Sequence, residues 1–96
     1  VWGLVGSATP NGWNGPDQKF VPDFGVNEGF YYMSGAQLID GEIKVRQNDA
    51  WGVNYGDDGA DGTMDASGAN IAVSAGTYNI TLDFSVDPPT ISMVQW

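Results

Sequence analysis

Residues 42–56 read EIKVRQNDAWGVNYG, and this stretch holds two of the chain's three cationic side chains. Lys44 and Arg46 stand two residues apart, which on a β-strand places them on one face, roughly 6.5–7 Å from each other. Asn48 is next on the same alternation, while Ile43 and Val45 point the other way, toward a core. Both cations are therefore expected to face solvent or a groove. Trp51 and Tyr55 lie just downstream. A further indole, Trp13, sits in the Gly/Asn/Pro-rich segment SATPNGWNGPDQ, where no apolar periodicity calls for it.

Ammonium, guanidinium and amide groups beside indoles suit the binding of a sugar. The aromatic ring covers the apolar C–H face of the pyranose, and the donors hold its rim hydroxyls without requiring ligand charge. A stacked ring that removes ~80 Å² from water contributes about 2 kcal/mol at ~25 cal/mol per Å². Two such platforms and a few hydrogen bonds, less the cost of ordering, give a Kd of roughly 10 µM to 1 mM. Binding of that strength becomes useful when modules are repeated. Tyr55 is a third candidate ring, flanked by Asn54 and Gly56 in a segment suited to close backbone approach. The plainer alternative is that Lys44 and Arg46 pair with some of the twelve acids, that Trp51 is core, and that the module is a spacer without a ligand.

Composition narrows the choices. A chain of 96 residues supports one small core but hardly a deep cleft walled on several sides. A net charge of −9 repels nucleic-acid phosphates and anionic lipid surfaces, so neither is expected as a partner. His and Cys are absent, which removes the commonest general base, the commonest zinc ligand and any disulfide. No cofactor is expected. No apolar run approaches the ~20 residues that span a bilayer, and no signal peptide is visible. The chain starts and stops within apolar, strand-like patterns, which suggests a module cut from a longer protein.

The elements that must carry the cluster read as short strands separated by turns. VWGLVG (1–6), KFVPDF (19–24), FYYMS (30–34), AQLI (36–39), EIKVRQN (42–48), WGVNYG (51–56), ANIAVS (69–74), GTYNITLDFS (76–85) and TISMVQW (90–96) are β-favouring. Pro22 disfavours a central ladder position, and Gly35 suggests a bulge. GVNEG (25–29) and VDPP (86–89) read as turns. The strongest strand sets Tyr78, Ile80, Leu82 and Phe84 on one face against Thr77, Asn79, Thr81 and Asp83 on the other. No stretch holds a helical period. The fold class is all-β, an antiparallel sandwich of about seven or eight strands. Trp2 and Trp96 are expected to cap it.

The acidic loop DDGADGTMDASG (57–68) raises a calcium reading, with Asp57, Asp61 and Asp65 as weak candidate ligands. The EF-hand spacing fails, because Gly68 stands where a bidentate Glu belongs. Asp and Gly are also ordinary turn residues. Twelve acids make some carboxylate pair inevitable, so a glycosidase reading has little specificity. The small size and the lack of His and Cys argue against an enzyme.

Three segments, LVGSATPNGW, GEIKVRQNDAWGVNYGDDGADG and GTYNITLDFS, resemble the starch-binding modules of the SusE/SusF family. These are outer-membrane lipoproteins of Bacteroidota glycan-uptake systems. The resemblance runs from Leu4 to about Ile91, and its middle segment is the most specific. It implies an immunoglobulin-like β-sandwich, one of several tandem modules, anchored at the cell surface through a segment outside this chain. It implies non-catalytic binding of starch or another α-glucan, with other outer-membrane uptake proteins as partners. The family's stacking aromatics and strand-borne Lys/Arg pair fall on Trp13, Lys44, Arg46 and Trp51, with Asn48 and Tyr55 as neighbours. Related uptake systems handle other glycans, a β-glucan among them.

Overall fold

The computed structural model describes residues 1–25 and 27–96; the expected turn at 25–29 includes Val26, which lies outside them. The described residues form ten strands and no helix. They are β1 (Trp2–Val5), β2 (Gln18–Lys19), β3 (Val21–Pro22), β4 (Phe30–Leu38), β5 (Gly41–Gln47), β6 (Asn54–Gly56), β7 (Asp65–Ala66), β8 (Ile71–Val73), β9 (Gly76–Asp83) and β10 (Thr90–Gln95). The excess over seven or eight arises because the fragment expected at 19–24 is divided between β2 and β3, and because the two-residue β7 lies in the acidic segment read as a loop.

Two antiparallel sheets face one another. The first runs β2-β1-β5-β6-β7, with β8 paired to the start of β5; the second runs β10-β9-β4-β3. Every pairing is antiparallel, and the β5 register sets Leu4 opposite Val45 and Gly3 opposite Arg46. The inward faces are those the alternation marked. Leu4, Ile43, Val45, Ile80 and Leu82 are all sealed in the core. Each such side chain contributes about 1.5–3 kcal/mol by leaving water. At one end of the core Trp2 stacks on Phe84 with centroids 4.5 Å apart, and Tyr31 and Tyr55 pack edge-on or tilted around them.

Pro22 lies on β3, the outer strand of its sheet, where a missing N–H costs least. Phe20, between β2 and β3, is buried where the chain passes from one sheet to the other. The acidic loop closes one end of the sandwich. Its Met64 is fully buried, its Thr63 bridges Thr90, and Met64 N donates to Pro89 O. Trp2 takes its expected place against the core. Trp96 does not cap the core: it lies on the outside and is 74% exposed.

Candidate functional site

The site lies on the outer face of the first sheet, where β5 runs between β1 and β6. Lys44 and Arg46 both emerge there, and the indoles of Trp13 and Trp51 meet above them. The two ring centroids are 6.0 Å apart with planes inclined at 36°. The Arg46 Cζ lies 4.6 Å from the Trp51 ring centre and the Lys44 Nζ 5.8 Å from it. Trp51 is 45% exposed and Trp13 half-buried. Four residues spread over 39 positions of sequence therefore converge on one patch.

Arg46 departs from the sequence reading. It occupies the outer face, but it is not solvent-facing: only 3% of it is exposed. Its Nε donates to Asp17 Oδ2 at 2.6 Å and its Nη2 to Asp17 Oδ1 at 2.7 Å, a bidentate pair with both side chains buried. The hydrogen bonds it donates to the Asp17 carboxylate, more than the charge, hold the guanidinium's pKa above its ordinary value. The segment 7–17 folds back over the sheet and delivers Asp17. Gly3, opposite Arg46, makes room for it: a Cβ at Gly3 would lie 2.6 Å from the Asp17 Cβ. The same segment seals Val5, which pairs with Lys44 on the outer face and yet is fully buried. Arg46 is thus committed to Asp17, and one side of the Trp51 indole rests on that buried ion pair.

Lys44 remains the available cation. Its Nζ donates to Asn54 Oδ1 at 2.7 Å, and the Asn54 Nδ2 donates to the Trp51 carbonyl at 2.9 Å. An ammonium has three donors, so one bond to Asn54 leaves two. Partial burial pushes the Lys44 pKa below its ordinary 10.5, with Asp58 opposing that shift. Asn54 ties the cation to the indole's backbone, a role that nothing in its sequence position announces beyond the alternation of β6.

Two expected neighbours lie elsewhere. Tyr55 pairs in register with Val45, so its ring points inward, 5.7 Å from Trp2 and 5.6 Å from Phe84. Asn48 leaves the strand before it can share the face. It and Asp49 have φ of 59° and 54°, and Ala50 N closes on Gln47 O, the geometry of a type I′ turn. Asn48 Oδ1 accepts from the Val1 amine at 2.8 Å. The turn instead recruits Asp49, whose Oδ1 accepts from Asp17 N at 2.8 Å and from Lys19 Nζ. Those hydrogen bonds, that from Lys19 foremost, hold the Asp49 carboxyl below its ordinary range.

The acidic loop uses its carboxylates on its own backbone. Asp57 accepts from Asp61 N at 3.1 Å and Gly62 N at 3.0 Å, Asp61 from the N and Oγ1 of Thr63, and Asp65 from Asp58 N at 2.8 Å. Asp57, Asp61 and Asp65 are turn staples in this geometry. Among the described residues no group of three or more His, Cys, Asp or Glu side chains gathers as for a metal ion.

Lys44 and the two indoles can together cover an apolar ring face and donate to hydroxyls at its rim. Of the carboxylates around the patch, Asp17 is paired with Arg46 and Asp49 with Lys19, while Asp58 acts on Lys44 through its charge. Comparison with family models, with curated proteins and with solved structures finds no match for this chain.

Proposed function

We propose that this module binds α-glucan without cleaving it, through the patch formed by Trp13, Trp51 and Lys44. The observation that carries the reading is the convergence of two indoles 6.0 Å apart over a buried Arg46–Asp17 pair, with Trp51 left 45% open to water. An aromatic that merely filled a core would not need a guanidinium beneath it and solvent beside it. The patch is open and inclined rather than deep, which suits a long chain laid across it. Lys44 supplies donors to vicinal hydroxyls. Arg46 acts as a positioning residue that supports Trp51. The engagement of Asp17 by Arg46 and of Asp49 by Lys19 supports binding over cleavage, which needs two available carboxyl groups.

The likeness to SusE/SusF modules supports α-glucan over other neutral polymers. It extends the proposal to an immunoglobulin-like module of an outer-membrane lipoprotein, displayed at the cell surface beside glycan-uptake partners. Native electrophoresis through gels cast with amylopectin or with a mixed-linkage β-glucan tests the reading. Retardation by amylopectin is expected. Retardation by the β-glucan alone would reassign the ligand, and none by either polymer would leave a structural module.

A further inference from the structure

The opposite outer face, that of the second sheet, displays a second fixed indole. Trp96 follows β10 and is 74% exposed, yet its ring is held. Its Nε1 donates to Asn79 Oδ1 at 2.9 Å and its backbone N to Thr77 O at 2.8 Å. The six-membered part of the indole lies over Gly35, where a Cβ would approach Cζ2 to 3.2 Å. Gly35 has φ +68° at the register shift of β4 between Met33 and Ala36, so a side chain there would be strained as well as crowded. The bulge thereby clears a seat for the ring.

Asn79 organises what surrounds it. Its Oδ1 also accepts from Gly35 N at 3.1 Å and Ser34 Oγ at 3.3 Å. Three donors at one oxygen fix the amide's orientation and leave its Nδ2 as the donating end. Beside it lies a shallow depression of about 260 Å³, bordered by Tyr32, Ser34, Asn79 and Thr81. None of Ser34, Gly35, Asn79, Thr81 and Trp96 is charged. The chain's three cations, Lys19, Lys44 and Arg46, all belong to strands of the first sheet.

We infer that this face is a second binding site for a neutral polyhydroxyl chain, with the Trp96 indole as its shelf and Asn79, Ser34 and Thr81 as its hydroxyl partners. The absence of any cation on this face disfavours an anionic ligand, Asp23 is occupied by the Tyr32 hydroxyl at the border, and an indole beside an amide and hydroxyls offers what a pyranose needs. Identifying the polyhydroxyl as a glucan rests on the reading of the first face; the site itself does not. Two sites on opposite faces would let one module bridge two polymer chains.

Amide and indole N–H spectra of the ¹⁵N-labelled protein, titrated with maltoheptaose and separately with cellohexaose, distinguish the faces. The Trp96 indole, the Asn79 side-chain amide and the Gly35 amide are expected to shift with sugar in the native protein and equally in Trp51→Ala. In Trp96→Ala the Asn79 response weakens by at least ~10-fold while the Trp51 indole still shifts. Shifts confined to Trp13 and Trp51 would overturn the second site and leave the first. Shifts confined to Trp96 and Asn79 would support the second and refute the first. No response of the Trp96 group to either sugar refutes it.

Discussion

The Arg46 guanidinium lies 4.6 Å from the centre of the Trp51 ring and is itself clamped by both oxygens of Asp17. A mobile surface indole would lose freedom on binding; one already seated on a rigid cation loses less. The buried ion pair therefore serves ligand binding through the ring it supports rather than by touching sugar.

Removing one partner of that pair should be severe. Asp17→Ala leaves the Arg46 charge buried and uncompensated, and Arg46→Ala does the same to Asp17. Either should lower the unfolding free energy by about 3–5 kcal/mol in urea denaturation. Arg46→Lys keeps a charge but loses the fork, so it should fall between the variant and the native protein. A loss under about 1 kcal/mol in Asp17→Ala would mean that the pair is solvated.

Gly3 should tolerate no side chain. Gly3→Ala drives a Cβ to 2.6 Å from the Asp17 Cβ. The expected cost is about 1–3 kcal/mol, with weaker glucan retardation because Asp17, Arg46 and Trp51 shift together. A variant of native stability and native retardation would contradict this contact.

Asn54 joins Lys44 to the Trp51 carbonyl through bonds of 2.7 and 2.9 Å. Asn54→Ala should cost about 1–2 kcal/mol in stability. It should also weaken binding more than Asn48→Ala, whose side chain bonds the Val1 amine instead. Equal effects of the two substitutions on glucan affinity would restore Asn48 to the site.

Acid should destabilise the module through specific carboxylates. Asp23, Asp49 and Asp61 are each held below their ordinary 3.8 by hydrogen bonds to the charged form, those from Gly25, Lys19 and Thr63 being the largest causes. Near pH 3.8 the unfolded chain binds protons that the folded one does not. Their stabilisation is therefore present above that pH and lost as pH falls through the lower folded values. The Tm should drop on acidification below about pH 4, and Asp49→Asn should flatten the drop. An unchanged slope in Asp49→Asn would remove Lys19 as the cause.

The alternation of EIKVRQ was enough to place Ile43 and Val45 inside and Lys44 outside, because a strand's period is local. The burial of Arg46 was not legible: the segment that covers it reaches Asp17, 29 residues earlier, and no local pattern encodes that return. Tyr55 turned inward because its register with Val45, not its neighbours, fixes its face. Asn48 was lost to the face through a left-handed φ, which Asn accepts more readily than most residues. Met64, the one large apolar side chain in the acidic loop, carries no period, so its burial emerges only from the closure of loop on core. Trp13 was legible as a candidate because its Gly/Asn/Pro-rich surroundings gave no packing reason for it, and Trp51 because it closely follows Lys44 and Arg46.

Isothermal titration of maltoheptaose into the native protein and into Trp51→Ala tests the central claim most directly. The native protein should bind with a Kd of roughly 10 µM to 1 mM. Trp51→Ala should stay folded and bind at least ~10-fold more weakly through the first face. Full native affinity in a folded Trp51→Ala would contradict the account.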